Sequence, residues 1–184
     1  GARALDFIQY VTCNDASKLT PGRAHYSGLM TPRGTFVDDL LVHKVADDHY
    51  FLVVNAANKD KDYAYLCAQV PGFEGVTVRD RSDDYAQIAV QGPRALEVTQ
   101  KLTPVPLGEI KYYRFVEGEI NGVKAIIART GYTGEDGFEV YVAPPVAAPL
   151  WRALLAAGAD AGIAPTGLGA RDTLRFEACM PLYG

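Results

Sequence analysis

Residues 36–55 read FVDDLLVHKVADDHYFLVVN, two strand-like runs around a short break. Phe36 to Val45 has the branched, apolar composition of a strand. Asp47 and Asp48 interrupt it as a turn. Tyr50 to Asn55 then form a further strand. Strands joined by so short a turn pair antiparallel. The pattern extends in both directions. Arg23 to Met30 reads as the preceding strand, set off by the turn Thr31 to Gly34 (TPRG). Further upstream, Ala2 to Val11 places Leu5, Ile8 and Val11 at helical spacing until Asn14 and Asp15 break it. Downstream, Asn58 can cap a helix running to about Ala68, with Tyr63, Leu66 and Cys67 inward.

A second set of elements follows. Asp84 to Gln91 alternates like a strand. Gly92-Pro93 opens a helix through Leu102, with Pro where its missing N–H costs nothing. Lys111 to Val116, Val123 to Arg129 and Phe138 to Val142 read as strands. Val146 to Gly158 reads as a helix carrying Trp151, Leu154 and Leu155, and Gly167 to Ala178 as another. Both halves follow the order helix, three strands, helix. The expected class is α+β, built from a duplicated antiparallel-sheet-plus-helix unit, although the halves show no obvious residue identity.

The 184 residues suit one large domain or two small ones. A composition 48% hydrophobic and 22% charged argues against disorder. The net charge of −4, with no Lys/Arg run, argues against a nucleic-acid partner. Cys13, Cys67 and Cys179 are far apart and form no CxxC pair, which argues against disulfides or zinc. They read as reduced thiols of a cytosolic or organellar matrix protein, each most simply a small buried hydrophobe. His25, His43 and His49 form no metal or triad pattern. No run reaches the roughly 18 apolar residues of a membrane span. The chain has no initiator Met, starts inside a helical pattern and stops at PLYG, so it is expected to be part of a longer protein.

Three places carry candidate chemistry. In a strand, Asp38 shares a face with Phe36, Leu40 and Val42, and Asp39 with Val37, Leu41 and His43. A carboxylate among apolar neighbours is costly unless paired, which makes both functional candidates; the plain alternative is a solvent-facing or turn-capping Asp. The run Arg129 to Glu139, RTGYTGEDGFE, repeats Gly131, Gly134 and Gly137 between two strands. Such spacing permits tight backbone geometry and close approach of a ligand to the main chain. It is neither a Walker loop nor a dinucleotide fingerprint, and its bland reading is a hairpin loop. Tyr132 could stack on a ring, and Glu139 could accept two hydrogen bonds from a ring N–H and an exocyclic amine. Lastly, GLGARD (Gly167 to Asp172) puts Arg171 and Arg175 on one helix face. Arg171 could pair with a carboxylate, Asp39 being one candidate, or lie on the surface.

Six runs in order, TCNDASKLTPGRAHYSGLM, GTFVDDLLVHKV, LVVNAANKDKD, IAVQGPRA, RTGYTGEDGFEVYV and GLGARDTLRFEACMPLYG, resemble the aminomethyltransferase (T-protein) family of the glycine cleavage system. The resemblance covers almost the whole chain. It implies a three-domain cloverleaf around a folate pocket, of which residues 1–184 would be the folate-binding core, without the family's N-terminal segment and C-terminal barrel. It implies transfer of an aminomethyl group from the lipoyl arm of the H-protein to tetrahydrofolate, with release of ammonia and formation of 5,10-methylenetetrahydrofolate. By the same resemblance Asp39 is the catalytic acid, and Glu139 and Arg171 bind folate. Tyr26, Leu41, Val53, Asn55, Tyr112 and Tyr132 match pocket-lining positions. A monomer is expected, in the cytoplasm or the mitochondrial matrix. Two residues depart from the family: His43 stands where Tyr is usual, and Cys179 where Gly is common.

Because folate would supply the nucleophile, the protein needs none and must contribute orientation plus one acid/base or electrostatic group. Three other readings compete. One is a folate-binding module of a sarcosine- or dimethylglycine-type flavoenzyme. Another is a non-transferase relative acting in iron–sulfur protein maintenance, whose KGCYxGQE-like run is missing here. The third is a non-catalytic structural or interaction domain with a decayed site, disfavoured because Asp39, Glu139 and Arg171 are all present.

Overall fold

Helix α1 (Ala4–Val11) buries Ile8 and Val11 as its apolar spacing predicts, with Phe7 buried beside them and Leu5 only partly buried. Strands β1 (Arg23–Met30), β2 (Phe36–Ala46) and β3 (His49–Val54) follow and form an antiparallel sheet in that order. Helix α2 (Lys59–Gln69) completes this set. In the computed structural model, which describes residues 1–183, these elements belong to one compact unit, Gly1–Arg81 with Tyr183; Ser82–Leu182 forms a second. The first core joins α1 to the inner face of the sheet and to α2 through Leu29, Leu40, Val42 and Leu66.

The second unit contains β4 (Ala86–Gln91), α3 (Ala95–Gln100), β5 (Phe115–Ile120), β6 (Val123–Ala128), β7 (Gly137–Val142), α4 (Pro144–Ala157) and α5 (Leu168–Glu177). Its sheet has the order β4-β7-β6-β5, antiparallel throughout. Phe138, Val140 and Val142 of β7 pack with Leu150 and Leu154 of α4 in a separate core. The class is therefore α+β, mixed helices on antiparallel sheets. The two units share the plan but differ in strand number, because β4 adds a fourth strand to the second.

Several local expectations shift. Residues 111–114 form a turn, not a strand, and β5 starts four residues later than expected, with Tyr113 at φ 59°. The backbone reverses there because Tyr113 N–H bonds Arg129 O and Arg114 N–H bonds Lys111 O. Helix α3 is shorter than expected, and Pro93 lies before its cap residue Arg94. Helix α2 starts just after Asn58, but the Asn58 side chain does not cap it. Its inward residues are Leu66 and Asp62, while Tyr63 is exposed and Cys67 half-buried. Trp151 on α4 is exposed. Cys13 and Cys179 are exposed free thiols, not buried hydrophobes. Cys179 sits at φ 57°, the left-handed region that glycine adopts without strain. Among the described residues no helix is long and apolar enough to cross a membrane.

Candidate functional site

In the first unit, strand alternation separates the paired aspartates. Asp38 points inward with Leu40 and Val42 and is 0% exposed, while Asp39 lies half-buried on the other face. That outer face carries a row across the sheet, with Tyr26 opposite Leu41 and Leu41 opposite Val53. One step along, Asp39 stands opposite Gly28. A Cβ on Gly28 would meet the Phe36 ring at 2.2 Å, so the ring rests directly on this backbone.

Asp39 is held from two sides. Tyr26 donates its hydroxyl to Oδ2 at 2.9 Å, and Asn55 donates Nδ2 to Oδ1 at 2.7 Å. The same Asn55 nitrogen reaches Asp38 Oδ1 at 2.8 Å. Each Asp39 oxygen thus uses one lone pair on the protein and keeps acceptor capacity on a partly open face. Burial works against a charge on Asp38. Hydrogen bonds with Asp62, Asn55, the Asp39 N–H and Asn58 outweigh it and hold its carboxyl below the usual aspartate range. The sequence expectations therefore converge on Tyr26, Asp39, Leu41, Val53 and Asn55, which share one neighbourhood. Asp62 was missed, because an Asp in the first turn of a helix reads as a solvated end residue.

In the second unit, RTGYTGEDGFE is the loop and strand start of the β6–β7 hairpin. Its bland reading holds for the backbone. Arg129 forks onto Asp136 through Nε–Oδ1 at 2.8 Å and a second nitrogen to Oδ2 at 2.7 Å, and also bonds Ile110 O at 2.8 Å. Of the three glycines, Gly134 alone has a positive φ, 76°. Gly131 and Gly137 instead make room for Gln91, whose amide a Cβ would meet at 1.9 and 2.2 Å. Gln91 Nε2 donates to Thr130 O at 3.1 Å and Phe138 O at 3.3 Å. The close approach that the glycine spacing implied is thus made by a side chain of β4.

Glu139, on β7, accepts from Gln87 Nε2 at 2.7 Å and from the Thr130 hydroxyl. Burial pushes its carboxyl above the ordinary value, opposed by Thr130, Gln87 and Arg171. The Arg171 guanidinium lies 4.5 Å from the Tyr132 ring centroid, a cation–π contact. Tyr132 also donates its hydroxyl to Pro181 O. Tyr112 is exposed and meets Tyr113 edge-on, with centroids 4.6 Å apart. Burial, with Tyr112 and Glu139 adding, pushes the Tyr113 phenol up to about 12. Glu139, Arg171 and Tyr132 thus form one neighbourhood in this unit. Gln87 and Thr130, which complete the Glu139 setting, carried no signal beyond ordinary strand and loop composition.

Both sheets thus carry a framed, partly open carboxylate with aromatics beside it. Residues 1–184 match the family model described as the GCVT N-terminal domain, and the chain belongs to that family. It is 51% identical over 184 residues to the aminomethyltransferase of Desulfitobacterium hafniense (strain Y51), a match covering 100% of this chain and 50% of that protein. The chain spans about half the length of the curated relatives it matches. Among solved structures it resembles the glycine cleavage system aminomethyltransferase T of Bartonella henselae. There the TM-score is 0.84 and the identity 34%, over 99% of this chain and 48% of that one. It also shares its fold with the heterotetrameric sarcosine oxidase of Corynebacterium sp. U-96. In that case the TM-score is 0.60 and the identity 19%, over 91% of this chain and 78% of that one.

Proposed function

We propose that this chain supplies the tetrahydrofolate-binding core of a glycine cleavage system aminomethyltransferase. The full protein takes the aminomethyl group from the lipoyl arm of the H-protein, releases ammonia and forms 5,10-methylenetetrahydrofolate. The observation that carries the proposal is the Asp39 carboxylate, fixed by Tyr26 and Asn55 on the sheet face that carries Leu41 and Val53. The family membership and the names of its relatives support it.

The residues suit the ligand. A reduced pterin presents adjacent N–H donors, and both Asp39 and Glu139 retain acceptor capacity beyond their protein partners. Tetrahydrofolate, when bound, supplies the nitrogen nucleophile that accepts the one-carbon group. Asp39 stabilises the positive charge that develops on the transferred carbon and orients the accepting nitrogen. Glu139 accepts from the ring edge, Tyr132 and Tyr112 offer aromatic surface, and Arg171 supplies a fixed positive charge beside Tyr132. Beside Asp39 in the first unit, Tyr26, Leu41 and Val53 form a row across the sheet that offers apolar surface.

The test is tetrahydrofolate-dependent ammonia release from an aminomethylated lipoyl carrier by the full-length protein. Turnover is expected with the carrier. No turnover with the carrier, but turnover with a methylated amine, would replace this proposal with a demethylating folate module.

A further inference from the structure

Behind Asp39 lies a second carboxyl pair that the proposed reaction does not use directly. Asp38 and Asp62 are each 0% exposed. Each carboxyl perturbs the other across β2 and α2, and Asp38 Oδ2 and both Asp62 oxygens are sealed from solvent without a donor. Asp38 has donors of its own, from Asn55 Nδ2 at 2.8 Å and the Asp39 N–H at 2.8 Å. Asp62 does not: both its oxygens are sealed from solvent and receive no N–H or hydroxyl donor. Lys61 Nζ stands 3.9 Å away, beyond hydrogen-bond reach, and donates instead to Val37 O at 2.6 Å. Two buried carboxyls that face each other cannot both stay charged, and a bare buried charge without a donor is strongly disfavoured. The proton therefore belongs on Asp62, the member with no other donor.

We propose that Asp62 is a positioning residue for Asp39: protonated, it donates to Asp38, and through Asn55 the Asp38 carboxylate fixes the rotamer of Asp39. The proposal rests on Asp39 being the acting carboxylate. Asn55 Nδ2 is shared between Asp38 Oδ1 and Asp39 Oδ1. When Asp62 loses its proton, two buried charges face each other, Asp38 claims the Asn55 amide more strongly, and Asp39 loses its anchor. Burial first, then Asp38, pushes the Asp62 carboxyl up to about 7; Lys61 opposes this and Asp39 adds to it. The charged groups facing Asp62 are thus Asp38 and Asp39 from β2 and Lys61 from its own helix. The positive end of that helix also favours its anion. The switch point therefore lies near neutrality, and the site works best on its acid side.

The experiment uses full-length protein with Asp62→Asn, Asp62→Val and Asp39→Asn in parallel. Asp62→Asn keeps a donor toward Asp38 but cannot titrate. It should hold kcat near the wild-type acid plateau and abolish the fall in kcat centred near pH 7. Asp62→Val should lower kcat by about 100-fold with little change in folate KM. Carbon-13 aspartate NMR of the wild type should show one carboxyl titrating near 7 that Asp62→Asn removes. An unchanged pH profile in Asp62→Asn, or no aspartate titrating near 7, overturns the positioning role. Full activity in Asp39→Asn overturns instead the functional reading on which it rests.

Discussion

Asn55 Nδ2 lies 2.7 Å from Asp39 Oδ1, and this bond fixes one carboxylate oxygen where β3 ends. Because Asn55 also serves Asp38, its loss frees one carboxylate and strips a donor from a buried one. Asn55→Ala is expected to lower kcat by about 10- to 100-fold through misorientation of Asp39. It should also lower the melting temperature, since Asp38 is left under-satisfied. Steady-state kinetics and thermal melts of the full-length protein check both. Wild-type kcat would show that Asp39 needs no anchor.

Glu139 is expected to bear on affinity more than on rate. Its two oxygens are aligned by Gln87 and Thr130 before any ligand arrives. Glu139→Ala should weaken tetrahydrofolate binding by about 10- to 100-fold, the loss of charge-assisted hydrogen bonds worth roughly 1.5–3 kcal/mol. Calorimetric titration measures it. An unchanged dissociation constant would remove Glu139 from the binding surface.

The Gln91 contact predicts a pair of coupled substitutions. Gly137→Ala places a methyl against the Gln91 amide and should destabilise by about 1–3 kcal/mol through overpacking. Adding Gln91→Ala opens the space and should restore part of that loss. Denaturant unfolding of the three variants gives the coupling energy, and strict additivity would rule out the proposed clash.

His43 predicts a slope in stability with pH. It is fully buried on β2, and burial drives its imidazole down to about 4 from the ordinary 6.5, against hydrogen bonds to the backbone of Leu41 and Phe51. A depressed basic group binds fewer protons folded than unfolded. Its contribution is complete above pH 6.5 and is lost as pH falls from 6.5 toward 4. His43→Leu should flatten stability over that window, whatever its effect at pH 7. Unfolding midpoints at several pH values test this, and an unchanged slope would mean His43 is not buried neutral.

The sheets were legible because β-branched runs and Asp, Gly or Pro breaks coincide, as in FVDDLLVHKVADDHYFLVVN, where the strand-turn-strand bounds hold to within a residue. The alternation of Asp38 and Asp39 across β2 followed from period two alone. The start of β5 did not follow. KYYR has strand composition, yet the turn there depends on a bond from Tyr113 to Arg129, distant in sequence. Asp62 was hidden for the same reason: only the packing of α2 on β2 turns a first-turn carboxyl into half of a buried pair. The two reasons for the glycines in RTGYTGEDGFE also separate only in three dimensions. Gly134 serves a left-handed bend, while Gly131 and Gly137 clear space for Gln91.

The loop that carries Thr130 and Tyr132 is stitched at both ends. Arg129 grips Asp136 across its mouth, and Gln91 reaches in from β4 to the Thr130 carbonyl in the loop and the Phe138 carbonyl on β7. On the proposed reading, a guest molecule arriving at Glu139 would meet a wall already set to shape. Little conformational entropy would be lost on docking there, and selectivity would rest on complementarity to a rigid edge instead of on folding around the guest.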